Sequence, residues 1–168
     1  MEMINEGAHV ARHEAGRAQL PPAGEYLTFR VGGEEYGVDI QAVQEIRCYE
    51  APTRLPGAPS FVRGVVNLRG VIVPVMDLRL RLDCPQVHYT QFTVVIVLAV
   101  RRRTVGVVVD AVSGVNDLAA DAILPPPGLE GADSDFITAI AGDGDRMLML
   151  VDMERLLGST LGQLPEVQ

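Results

Sequence analysis

The chain has 168 residues, nearly half of them apolar, enough to build a real core in one compact domain or two very small ones, and this excludes disorder for most of its length. A formal net charge of -8 disfavours nucleic acid and direct docking on anionic lipid, both of which need a basic face, and leaves proteins or small molecules as partners. The longest apolar strand-like run, VVIVLAV at 94–100, is too short to cross a bilayer, and Cys48 and Cys84 alone make no disulfide framework.

Residues 1–24 read as a flexible N-terminal tail. MEMINEGAHVARHEAG lacks a basic start, an apolar stretch and a small-residue cleavage site, so export is not indicated and a cytoplasmic location is expected. His9 and His13 have only His88 elsewhere in the chain, which makes no metal set. From Glu25 onward Leu27, Phe29 and Val31 alternate with Thr28 and Arg30, the pattern of a half-buried strand. Gly32 and Gly33 turn the chain, EYGVDI returns it, and QAVQEI spaces Ala42, Val43 and Ile46 as a short helical turn. Strands are expected at 44–50, 64–68, 71–76, 93–100, 104–110, 112–117 and 146–151. Asp152 caps a helix over MERLLG, Gly158 stops it, and residues 158–168 read as a C-terminal tail.

Laid over itself, the chain repeats. Gly37, Val38, Ile40, Ala42, Val43 and Ile46 fall on Gly106, Val107, Val109, Ala111, Val112 and Val115 at an offset of 69, and Leu27, Phe29 and Val31 fall on Ile96, Leu98 and Val100. Six residues are then inserted, and Phe61, Val62, Val65, Val73, Val75 and Asp77 fall on Phe136, Ile137, Ile140, Leu148, Leu150 and Asp152 at an offset of 75. Each unit holds about five short strands and a short helix, too little to bury much alone. The expected architecture is all-β: two small packed barrels, 25–84 and 85–157. Phe61 and Phe136, equivalent by the repeat, are expected to be buried alike.

The turn Asn67–Gly70 interrupts an otherwise apolar run, GVVNLRGVIVPVMDL, and falls on the acidic tip GDGD at 142–145 in the second unit. Gly70 supplies the turn, Asn67 braces it, and Leu68 and Arg69 are presented. Two readings of the pair stand: Arg69 bonds a carboxylate such as Asp77 or Glu45 while Leu68 plugs a barrel mouth, or the two form a recognition tip. No catalytic constellation is visible. The histidines lie in the tail and linker, no serine has nucleophile-elbow spacing, and there is no lysine for a phosphate loop. Asp39 with Glu45, or Asp77 with Asp110, would be the carboxylate pairs of an enzyme, but Asp77 and Asp152 read more simply as caps. LPPPG at 124–128 matches RLPG at 54–57 and reads as an inter-strand loop. The remaining alternative is a ligand-binding protein or enzyme using the cleft between the barrels.

The stretches EEYGVDIQAVQEIR, PSFVRGVVNLRGVIVPVMDLR, TVVIVLAV, VGVVVDAVSGV and DRMLMLVDMERLL, in this order over most of 25–157, resemble the CheW family of bacterial chemotaxis coupling proteins. NLRG and the PV.DLR that follows are the most telling. The resemblance implies two SH3-like five-stranded barrels with short helices, no enzymatic activity and no cofactor or metal. It implies a scaffold linking the cytoplasmic tips of methyl-accepting chemoreceptors to the regulatory domain of the histidine kinase CheA, in membrane-associated arrays reached through its partners. By motif, Val43, Gly64, Leu68, Arg69, Val94 and Val115 would bind receptor in a groove between the barrels, and Glu45 would contact the kinase. The chain departs from the family pattern only in the N-terminal tail and around CPQVHY.

Overall fold

The structure is a computed structural model that describes residues 20–126, 135–143 and 145–164. Eleven strands are described: β1 Gly24–Val31, β2 Glu34–Asp39, β3 Val43–Cys48, β4 Val62–Leu68, β5 Val71–Asp77, β6 Val94–Val100, β7 Arg103–Val109, β8 Ala111–Leu118, β9 Ile123–Leu124, β10 Ile137–Asp143 and β11 Arg146–Val151. Helix α1, Leu78–Arg81, follows β5, and helix α2, Met153–Gln163, follows β11. One sheet runs β8-β1-β2-β11-β10-β9 and the other β3-β6-β7-β5-β4. Within the sheets the pairs are antiparallel, except β11 with β2 and β5 with β7, which are parallel.

The repeat is present in the smallest details. Gly37 of β2 faces Leu150 of β11 as Gly106 of β7 faces Val75 of β5. The register slips at Gln44 and at its equivalent Ser113, and again at Arg63 and its equivalent Thr138. The Phe61 carbonyl accepts from the Asp77 amide at 2.7 Å, and the Phe136 carbonyl from the Asp152 amide at 2.8 Å. Asp77 and Asp152 each cap the following helix with a side-chain oxygen, as the sequence reading expected.

The sheets, however, do not follow the sequence halves. The first hairpin of each repeat is inserted into the sheet of the other: β1–β2 sits between β8 and β11, and β6–β7 between β3 and β5. Residues 25–84 and 85–157 therefore each contribute to both sheets. The apolar positions that superpose in the repeat, Leu27 with Ile96, Phe29 with Leu98 and Val31 with Val100, meet in one shared core between the sheets, joined by Met153, Leu156, Leu157 and Leu161 of α2. Alternate positions fill the two sheets separately: Tyr26, Leu148 and Leu150 in the first, Val75, Val95 and Val97 in the second. β1 is consequently buried on both faces from Tyr26 to Phe29 rather than half-buried.

Three local expectations are corrected. QAVQEI is not a helical turn: Ile40–Ala42 form a 3-10 turn capped by Asp39, and the chain is already extended at Val43. β10 lies outside the expected strand ranges, although a turn at 142–145 equivalent to Asn67–Gly70 calls for a strand before it. Gly158 does not end α2, which continues to Gln163, with Leu161 and Leu164 buried. The glycine is buried within the helix, where the Arg101 guanidinium lies over it. Residues 158–164 thus belong to the core rather than to a tail. At the other end Leu20 packs on the first sheet and the Tyr26 hydroxyl donates to the Pro22 carbonyl, while residues 1–19 lie outside the described set.

The inter-repeat linker is tied down by a buried charge network that the sequence did not announce. Arg79 of α1, 1% exposed, grips Asp77 with Nε and Nη2, both at 2.9 Å, and donates from Nη1 to Asp110 at 3.1 Å and to the His88 carbonyl at 2.6 Å. Burial alone would favour the neutral guanidine, but the hydrogen bonds to Asp77 and Asp110 raise its proton affinity above the ordinary value. The Asp77–Asp110 pair considered from sequence does meet, but through an arginine, as a structural clamp rather than an acid–base couple. Tyr89 stacks on Tyr49, lies under the Arg79 guanidinium and donates to Asp77 at 3.0 Å.

Burial, and then the neighbouring Asp77 charge, push the Tyr89 phenol up to about 12. Because its folded pKa exceeds the unfolded value of about 10, its contribution to stability is complete below pH 10 and is lost as pH rises through about 12. Ultraviolet titration of the folded protein should show tyrosinate from Tyr89 only near the upper limit, and Tyr89→Phe should reduce the amplitude of that step, leaving the part due to Tyr26, which burial also pushes up to about 12. Ionisation of Tyr89 near 10 would contradict the contact with Asp77.

Candidate functional site

The β4–β5 hairpin closes with the Leu68–Val71 pair, so only Arg69 and Gly70 form its tip. Both are left-handed, with φ of 52° and 87°, the geometry of a two-residue turn whose twist matches the strands. Gly70 accepts this conformation without steric cost, whereas Arg69 is held in it. The Asn67 side chain accepts from the Gly70 amide at 2.8 Å, the brace expected from sequence.

The Arg69 side chain is 72% exposed and donates from Nη2 to the Glu45 carboxylate of β3 at 2.5 Å; Arg47 reaches the other Glu45 oxygen at 3.1 Å. The Arg69 hydrogen bond first, and that of Arg47 second, hold the Glu45 carboxyl below its ordinary pKa. The pair is therefore complete at neutral pH and is lost only as pH falls through that depressed value. β3 and β4 are the end strands of their sheet, so this ion pair spans its open seam. Leu68 turns the other way, half-buried with Val75, Val95, Val97 and Tyr49, beside a narrow cavity of about 60 Å³ that Arg47 and Cys48 also line. Arg69 thus bonds Glu45 and Leu68 packs on the apolar cluster of the second sheet, while the guanidinium still presents most of its surface to solvent.

The other candidate positions are spread over the molecule. Val43 and Val94 lie toward opposite ends of the β3–β6 pair, opposite Leu98 and Cys48, and both pack on the shared core. Gly64, in β4, is buried with φ 144°, and a Cβ there would come within 2.0 Å of the Thr53 carbonyl oxygen. Val115 belongs to the other sheet, paired with Leu27 and 50% exposed. Ile46, its equivalent in the first repeat, is 44% exposed; sequence reasoning passed over it, although the offset of 69 identifies it.

The cleft between the sheets, of about 300 Å³, is bordered by Asp39, Arg101, Asp152 and Glu154. Its charged groups are engaged: Asp39 and Asp152 cap their helices, and Glu154 pairs with Arg101 at 3.1 Å. Nothing in it is arranged as nucleophile and base.

A family model described as the CheW-like domain matches residues 25–161, the span of both repeats and most of α2. The chain belongs to the CheW-like family. The chemotaxis protein CheW of Klebsiella aerogenes is 49% identical over 136 residues, covering 80% of this chain and 82% of that protein. The namesake from Rhizobium meliloti is 37% identical over 136 residues, covering 80% and 88%. Among solved structures, the scaffolding protein TtCheW from Thermoanaerobacter tengcongensis superposes with a TM-score of 0.76 at 30% identity, covering 80% of this chain and 92% of that one.

Proposed function

We propose that this chain is a non-catalytic chemotaxis scaffold that couples methyl-accepting chemoreceptors to the histidine kinase CheA. Its membership of the CheW-like family over residues 25–161 carries this reading. In finer terms, the receptor partner is the cytoplasmic tip and the kinase partner is the regulatory domain. The complex sits on the cytoplasmic side, in arrays reached through these partners. The two sheets, one of six strands and one of five, act as SH3-like barrels. In the second sheet the segment that follows β3 bridges β4 through Thr53 and Val65, and Arg69, just after β4, pairs with Glu45 of β3, contacts that favour closure. The repeats 25–84 and 85–157 are the units of duplication, and each barrel is assembled from both.

Receptor binding is assigned to Val43, Gly64, Leu68, Arg69, Val94 and Val115, with Arg69 as the directed contact and Glu45 facing the kinase. Arg69→Ala should leave the fold intact, because an exposed turn side chain contributes little to the core. Affinity for a receptor-tip fragment should fall about thirtyfold, as for truncation of a central arginine. Lysine should restore it only in part, since a point charge lacks the planar fork. Glu45→Gln separates recognition from a purely structural ion pair. If Arg69 recognises receptor, this substitution spares receptor affinity. If Arg69 serves only to hold Glu45, both variants lower the melting temperature equally and neither changes affinity.

A further inference from the structure

Most arginines among the described residues reach a carboxylate, as expected where 22 acidic residues face 14 basic ones. Arg54, Arg63, Arg81, Arg102 and Arg103 do not, and the first three gather around one loop. Arg54 and Arg63, both exposed, line a concave pocket of about 370 Å³ formed by residues 54–60 against Val62. The Arg81 guanidinium stands 5.8 Å from the Phe61 ring centroid at the end of the same loop.

The loop is held rather than free. Thr53 exchanges both backbone hydrogen bonds with Val65, at 2.9 and 2.8 Å, and the Val62 amide donates to the Pro59 carbonyl at 2.9 Å. Pro56 and Pro59 restrict it further. The close approach of Thr53 and Arg54 to β4 is possible only because residue 64 has no side chain. The backbone that carries Arg54 and Arg63 is therefore held, and neither side chain has an ion-pair partner among the described residues, on a molecule whose net charge is negative. Their planar forks match carboxylate, and the loop that carries them is in place before any partner arrives.

We propose that this pocket is a docking subsite for a short acidic segment of a partner protein, with Arg54 and Arg63 receiving its carboxylates and Gly64 serving to seat the loop that carries them. The subsite lies at the opposite end of β4 from Arg69 and does not depend on the role assigned to that residue.

The test is an NMR titration of the intact chain with a hexaglutamate peptide. Amide shifts should concentrate on residues 53–65. The double variant Arg54→Glu, Arg63→Glu should weaken the peptide at least about tenfold, the effect of a lost directed charge contact, with an unchanged melting temperature. Arg102→Glu, at an exposed arginine that also has no ion pair, should leave affinity unaltered. Equal weakening by Arg102→Glu would reduce the effect to general attraction and overturn the proposal. So would saturation of the same amides by inorganic phosphate with no preference for peptide, or binding to phosphatidylserine vesicles in place of the peptide. Gly64→Ala should also weaken the peptide by displacing the loop. If that variant does not fold, the charge-reversed surface variant decides alone.

Discussion

Arg79→Met should cost about 3–5 kcal/mol of unfolding free energy, the range measured when one partner of a buried ion pair is removed. Methionine keeps much of the volume, so the loss reports charge rather than a cavity. Asp77 is wholly buried and takes three hydrogen bonds from Arg79, counting the main-chain amide. Without the guanidinium its carboxylate keeps only the amide and the Tyr89 hydroxyl. Asp110 and the His88 carbonyl lose donors at the same time, which frees the linker that leads into β6. Removing both charges by Asp77→Asn with Arg79→Met should recover part of the loss, because no uncompensated ion is then left inside. Denaturant unfolding of the three variants measures this. A loss below about 1 kcal/mol for Arg79→Met would mean that the network does not hold the linker.

Phe136→Ala should cost about 3–5 kcal/mol, as for other fully enclosed aromatic rings, and Phe61→Ala distinctly less. The repeat predicts equal burial, but Phe136 is 6% exposed and Phe61 only half-buried. The difference comes from the helices that follow. α2 has eleven residues and brings Met153, Leu156 and Leu157 into the core with Phe136, whereas α1 stops after four and leaves Arg81 over the Phe61 ring. Thermal or denaturant midpoints compare the two directly. Equal losses would show that the helix length is not what distinguishes the repeats.

The repeat was legible because it is local: spacing of Gly37 and Gly106, or of Leu27 and Ile96, survives in any arrangement of the strands. The exchange of hairpins was not, and for the same reason. Two copies with one pattern offer each hairpin equivalent neighbours in its own half and in the other, so periodicity cannot say which is used. β10 escaped notice because ITAIAG is rich in small residues, and its Ala139 and Ala141 are core positions chosen for lack of space. Gly158 misled because a glycine can end a helix or sit buried inside one; what carries α2 past it is the burial of Leu161 and Leu164, which depends on the fold. At the candidate site the Asn67 brace and the tip were readable from four consecutive residues. The Arg69–Glu45 pair could be raised only as one of several options, since it joins residues 24 apart through the fold.

Co-sedimentation tests the coupling itself. Membranes bearing chemoreceptor should bring down CheA when this protein is present and far less without it, and Arg69→Ala, folded and still binding CheA, should fail to bring the kinase down. CheA sedimenting equally well with the wild-type chain, with the variant and with no chain at all would contradict the account.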